Sequence, residues 1–391
     1  MNAIGKLTFL ILLFPTIISI SFGQTNEELD RRLYEVEKSL EQKNPILPMD
    51  ADQFRFGGFL TSTWSHIDND KTSESSFNSN RFELLLDIDV SDNIEFFTAF
   101  GVISSAQLRD SDGSPAPIVS SDPDRTYDSG NRQQSTPLII SHGTYKLNRY
   151  ANFKIGRFIA PVGIINVEHF PPGLFLETVP QFLRPAPGGK FWGNFLDGVD
   201  FYGIIPFENS SLKYHLNYSN FAFSNANANV EGDPTRAVKG ARLAYSFWRD
   251  RITLGGSWQK GGRAFNSTPT ISYNNVGGDI LLRFGNFNMK NEFVYAAQDN
   301  AADQMGYIIQ PSYGITDTVR LVYRYDFLDQ DKANDNNDPK EVTEHIFGVN
   351  WKADKLLRLR AEYKLVKFDA DTVEKGDPDY NELLLSAIVS F

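Results

Sequence analysis

Arg358, Arg360 and Lys364 stand at alternating positions of one short segment, LRLRAEYK, residues 357–364. In an extended chain, residues two apart project to the same side roughly 7 Å from each other. Three cations so arranged could hand anions along a path. They could equally be ordinary lining, neutralised by Glu83, Asp87, Asp89, Asp326 and Glu362, which occupy comparable positions on their own segments. Arg55, Arg157, Arg320 and Arg324 extend the cationic set on further extended segments. A second group of charges, Glu168, Glu177, Arg184, Lys190 and Asp197, falls within Pro161–Asp197.

Covalent chemistry finds little support. The chain has no cysteine, which excludes disulfides, thiol nucleophiles and cysteine zinc sites. His66, His142, His169, His215 and His345 show no metal-ligand spacing. Ser141 and His142 are adjacent, so on a strand they point to opposite faces and cannot form a nucleophile–base pair. No GxSxG elbow occurs. The acidic run Asp329–Asp338 has oxygen ligands but lacks the glycine and terminal glutamate of an EF-hand loop, and reads as a solvated loop. The sequence therefore points to no enzyme, no cofactor and no metal. With a net charge of −11, it also argues against nucleic-acid binding.

The elements that must position these charges alternate. Phe82, Leu84, Leu86, Ile88 and Val90 share one face against Arg81, Glu83, Leu85, Asp87 and Asp89. Leu357, Leu359, Ala361, Tyr363 and Leu365 oppose Arg358, Arg360, Glu362 and Lys364. The final stretch, NELLLSAIVSF, places Leu383, Leu385, Ala387, Val389 and Phe391 on an apolar face, ending on an aromatic suited to a membrane interface. Such alternation serves either a soluble sandwich or a membrane barrel. Length separates the two. These segments run about 9–14 residues, enough to cross a bilayer at a tilt, whereas ordinary strands have about 5–6.

The connections alternate too. Short ones are expected at 91–93, 147–152, 206–211, 248–250, 285–286, 316–317 and 352–354, and long ones at 67–79, 109–135, 161–197, 223–236, 261–271, 299–305, 330–340 and 370–380. Short turns on one rim and long loops on the other characterise bacterial outer-membrane barrels. The expectation is an all-β fold, a transmembrane antiparallel barrel of sixteen strands over 52–391. A barrel of that size leaves an aqueous channel. Only 41% of residues are hydrophobic, yet 13% are aromatic, which fits strands that are apolar on alternate residues only.

Residues 1–23 read as a secretory signal peptide, with Lys6 before the apolar run Leu7–Ile20. In residues 24–48, Leu29, Leu33, Val36 and Leu40 keep a coiled-coil rhythm, so this segment is either a short periplasmic helix or a charged linker. The segment 161–197 differs from the other long loops: it holds six prolines and many aromatics. A loop that apolar needs a surface to pack on. The inner wall would make it a constriction carrying Glu168, Glu177, Arg184 and Lys190; the barrel top or a neighbouring subunit is the alternative.

Asn152–Gly163 (NFKIGRFIAPVG), Glu168–Pro172 (EHFPP), Asp52–Leu60 (DQFRFGGFL) and Asp197–Gly203 (DGVDFYG) together resemble the phosphate-selective porin O and P family over most of 52–391. The resemblance implies an outer-membrane homotrimer of sixteen-stranded barrels surrounded by lipid. Each would have its own pore for small hydrophilic solutes or ions and an inward-folded third loop. The sequence departs from the family's lysine-rich constriction, since this loop carries only Arg184 and Lys190 beside three acids. The expected function is passive diffusion, with an anion preference if the basic row faces the path. A non-conducting adhesin or assembly scaffold is the alternative, and an outer-membrane enzyme a more distant one.

Overall fold

A computed structural model describes residues 53–69, 73–109, 126–135, 138–168, 173–183, 191–192, 195–221, 237–263, 271–299, 302–329, 341–368 and 379–391. The expected signal peptide, the segment 24–48, Arg184, Lys190, and the acidic run beyond Asp329 lie outside them. The chain divides into two units, Met1–Arg55 and Phe56–Phe391, and the barrel is the second.

The strands, in chain order, are β1 (Phe54–Asn69), β2 (Ser73–Ser91), β3 (Ile94–Arg109), β4 (Thr126–Ser135), β5 (Leu138–Asn148), β6 (Ala151–Ile159), β7 (Phe195–Pro206), β8 (Ser211–Phe221) and β9 (Val238–Phe247). They continue as β10 (Ile252–Arg263), β11 (Ile271–Phe284), β12 (Phe287–Gln298), β13 (Gln304–Gly314), β14 (Val319–Asp329), β15 (Glu341–Lys352), β16 (Leu357–Phe368) and β17 (Tyr380–Ser390). Neighbours in sequence pair antiparallel, β4 and β5 excepted, and β17 returns to β1, from Phe59 opposite Ser390 to Asn69 opposite Tyr380. The ring is closed by the β17–β1 ladder, so the barrel has no open seam there, as a bilayer requires.

The 17 segments make sixteen staves, because β4 and β5 lie end to end along the single strand β3. Two expected long connections are correspondingly shorter. β1 runs on to Asn69 and β2 starts at Ser73, while β4 occupies 126–135. Polar, Ser- and Asn-rich sequence had suggested loop there. Antiparallel pairing is a backbone property, however, and it continues past the apolar part of each stave. The expected short turns fall where the alternation placed them. In one of them Trp248, Arg249 and Asp250 all take positive φ, at 55°, 56° and 60°. The Arg249 N–H donates to the Asn209 carbonyl at 3.3 Å across to the neighbouring turn.

The side-chain faces are inside out relative to a soluble protein. Ile155, Leu216, Leu243, Phe293, Tyr363 and Leu385 are exposed, whereas Asp326, Glu344, Glu362, Arg324, Arg360 and Lys364 are buried. Such a distribution is stable only if the outer surface meets hydrocarbon and the charges meet partners inside. No helix among the described residues is long and apolar enough to cross a membrane.

Candidate functional site

The connection from β6 to β7 turns into the barrel, and its described hydrogen bonds to other parts of the chain land on the inner faces of β10–β12 and β14–β16. Near its start, the Gly163 N–H donates to the Ser257 hydroxyl on β10 at 3.2 Å. The Ile164 and Ile165 N–H groups donate to one Glu292 oxygen on β12 at 2.9 and 3.2 Å. Gly163 has φ 61°, and a Cβ there would run into the Glu292 carboxylate, so the tight turn onto this acceptor needs glycine. Further on, Glu177 and Thr178 donate their N–H groups to the two oxygens of Glu362 on β16. Gln181 donates its N–H to Asp326 on β14 at 3.0 Å and its side-chain amide to Glu344 on β15 at 2.6 Å.

Wall donors complete the arrangement. Arg324 reaches the Thr178 carbonyl at 2.7 Å, Asn350 the Phe175 carbonyl at 3.0 Å, and Arg360 the Leu174 carbonyl at 2.6 Å. Arg360 also binds the Glu177 carboxylate at 2.9 Å, Asn275 donates to the Phe191 carbonyl, and Lys290 pairs with Glu168. A loop without regular structure buries backbone groups that need partners. Here most of the partners are charged wall side chains, with Ser257, Asn275 and Asn350 neutral, and hydrogen bonds to charged groups contribute about 1.5–3 kcal/mol each.

Apolar packing adds to this. Phe182, Leu183, Phe191 and Trp192 from the loop cluster with Val294, Ile308, Leu328, Val342 and Val366 from the wall. Three inner-wall glycines make room for the largest knobs. A Cβ on Gly277 would stand 2.8 Å from Trp192, one on Gly306 3.0 Å from Phe182, and one on Gly348 would collide with Leu176. Phe175 lies under both Lys290 and Arg320, each 4.8 Å from its ring centre.

The residues singled out from sequence distribute as follows. Glu177 meets Arg360, and Glu168 meets Lys290. Burial raises the Glu177 carboxyl above the usual carboxylate range, an effect that Arg360 opposes, Glu362 reinforces and Arg81 on β2 opposes. Of the basic row, Arg360 is held by Glu177 and Lys364 pairs with Glu382 on β17. Arg358 is half-buried on the same face. Arg324 serves as a loop anchor beside Asp326 at 3.5 Å. Arg320 sits nearer the short turns, donating to the Asn286 carbonyl and the Ser312 hydroxyl at 3.2 and 3.1 Å. Arg157 shares strand parity with the exposed Phe153 and Ile155 and contacts Asp197 at 3.5 Å. Arg55 is exposed near the start of β1.

Reasoning from sequence missed the anchoring role of Glu292, Glu344, Lys290, Asn275, Asn350 and Ser257. Alternation puts each on a polar face, but nothing local says that its partner lies 84 to 175 residues away. On the remaining wall, Lys154 lies over the rings of Tyr202 and Phe158 at 5.3 and 5.7 Å. His215 contacts Asp200 at 2.9 Å and stacks on Tyr202. Among the described residues no group of three acidic or histidine side chains could hold a metal ion.

No family model matches the chain. No curated protein matches it either. Solved structures do. OmpF of Salmonella typhi, solved with daunomycin, aligns at TM-score 0.58 and 11% identity, covering 86% of this chain and 97% of that one. The outer membrane channel DcaP of Acinetobacter baumannii aligns at 0.57 and 13%, covering 88% and 99%. OprB of Pseudomonas putida aligns at 0.57 and 13%, covering 87% and 94%. At these identities the likeness is one of fold: the chain has the closed antiparallel barrel of outer-membrane channels.

Proposed function

We propose that the chain is a bacterial outer-membrane porin, a water-filled channel through which small hydrophilic solutes or ions diffuse passively. One observation carries the reading: an apolar connection between β6 and β7 is fastened to the inner face of β10–β12 and β14–β16 through charged and polar wall side chains, and packs Phe182 against Gly306 on β13 between them. A barrel of sixteen staves is wide enough for water, and a loop laid along part of its wall narrows the bore without having to close it. Residues 161–197 are then the constriction, with Glu168 and Glu177 among its charges.

The finer parts of the reading have two sources. The resemblance to the phosphate-selective porins implies a homotrimer, and the sequence pattern gives a signal peptide at 1–23, a periplasmic segment at 24–48 and a barrel domain over 52–391. A preference for anions would need cations free along the path. Arg360 and Lys364 are engaged by Glu177 and Glu382, so any such preference falls to groups of the other wall, such as Lys154. The reading includes no enzyme activity. Ser141 and His142 stand next to each other on β5 and face opposite ways.

Purified protein in planar bilayers tests this. Discrete ohmic current steps are expected, with reversal potentials in asymmetric chloride and acetate salts giving the sign of selectivity. A correctly folded, membrane-inserted barrel that stays electrically silent would favour a scaffold instead.

A further inference from the structure

The outer surface of β8–β11 is layered. Along the long-loop rim, Tyr218, Lys239, Lys260 and Asn274 stand side by side, each directly opposite the next across the strand pairs. The row beneath is apolar: Leu216, Ala241, Trp258 and Val276. Lys239 and Lys260 are both exposed and outward-facing, and neither has an ion-pair partner among the described residues. Like charges directly opposite on one face of a sheet are destabilising. Their position makes this more pointed. Lys239 lies eight residues along β9 from Phe247, at the short-turn end. With about 3.3 Å per residue and a tilt near 40°, that places it roughly 20 Å above the lower aromatic edge, close to the top of an apolar band about 25 Å tall.

A furrow descends from this pair. Gly256 on β10 and Gly278 on β11 face each other across the ladder, both outward. A Cβ at Gly256 would meet nothing within 4 Å. A hollow of about 580 Å³ opens at Gly278 and runs toward β13, with Leu254, Ile280, Phe293 and Ile309 among its walls. The Trp258 indole is pinned at the upper margin by its hydrogen bond to Asn274, at 2.8 Å.

We propose that this face binds an outer-leaflet lipid that carries a phosphate headgroup. The two ammonium groups converge on the phosphate, and an acyl chain lies in the glycine furrow below. The cations supply charge-assisted hydrogen bonds to the phosphate oxygens, which also relieve their mutual repulsion. The inference rests on the outer-membrane reading. Channel conductance tests that reading by itself, so the two can fail separately.

Native mass spectrometry of the detergent-released full chain reads bound lipid directly, with bis-phosphorylated lipid A as the probe. The wild type is expected to retain it. The double variant K239Q/K260Q should lose about tenfold or more in affinity, from two lost charge-assisted contacts. Lys367→Gln, an outward lysine on β16 opposite Thr343, should leave binding unchanged. Gly256→Leu, which fills open space and leaves the lysines in place, should weaken binding of the acylated probe. Dephosphorylated lipid A should bind the wild type no better than it binds the double variant. Equal retention of lipid A by wild type and K239Q/K260Q would overturn the proposal. So would a change in oligomeric state with no change in lipid count, which would assign the face to a second copy of the chain.

Discussion

The inner wall has two regions of opposite character. Along β10–β16 several charged side chains are turned to the β6–β7 connection: Glu292, Asp326, Glu344 and Glu362 accept from its backbone or side chains, and Arg324 and Arg360 donate to it. Along β1–β8 the charges pair locally instead. Arg81 bonds Glu83 two residues away, and His215 bonds Asp200 on the adjacent strand. The residue types are the same in both regions. The difference lies in the hydrogen bonds: one wall turns its charges to irregular backbone as a dock, and the other keeps these pairs within the sheet, Arg81 reaching the loop only through its field on Glu177. The same alternating pattern can therefore build a scaffold on one side of a lumen and leave a passage on the other.

Removing the docked element is the largest perturbation of this contrast. Deletion of residues 165–190 should raise single-channel current on the order of twofold or more, because the narrowest section sets pore resistance. Unchanged current would place the limiting section elsewhere and leave the dock with a purely structural role. The next largest effect is expected at Glu362. Glu362→Ala strips two loop N–H groups of their acceptor and leaves Arg360 with less compensation in a buried setting. Breaking such a buried ionic arrangement from one side costs about 3–5 kcal/mol. The loop should loosen while the ring stays closed, read as noisy, flickering open-channel current with intact heat-modifiable migration on gels.

Much of the barrel was legible because a period of two is local information. The segment 357–364 alone tells which side chains share a face, and the short turns follow from where that period breaks. Strand ends were less legible. Residues 126–135 look like loop by composition, yet they extend the ladder on β3. The dock was the least legible. That Pro161–Asp197 needed a surface was readable from its prolines and aromatics. That its acceptors would be Glu292 and Glu362 was not, because such pairings join residues more than a hundred apart and depend on closure of the ring. Arg360 shows the same limit: its place on a polar face was evident, but its engagement with Leu174 and Glu177 was not.

Packing gives a milder test of the docked wall. Gly277→Ala puts a methyl group against Trp192, and overpacking of this kind costs about 1–3 kcal/mol. Gly256→Ala, on the neighbouring strand but outward, meets open space and should cost only the small difference in backbone preference. Thermal melts in detergent should separate the two variants in that order. Equal melting temperatures would mean that Trp192 yields freely and that the apolar part of the dock is loose.

The smallest effect is expected on the other wall. Lys154 touches no part of the described loop; it lies over Tyr202 and Phe158, near Asp200. Lys154→Gln should therefore leave current noise and thermal stability as they are. It removes one positive charge from the passage, and a charge acts on passing ions within about a Debye length, roughly 10 Å at 0.1 M salt. The permeability ratio from reversal potentials should shift toward cations by about some tens of per cent at 0.1 M and return to the wild-type value near 1 M, where screening shortens that reach to about 3 Å. A shift that persisted at high salt would mean that Lys154 acts by shaping the passage rather than by its field. Flickering current in this variant would tie it mechanically to the loop and erase the distinction between the two walls.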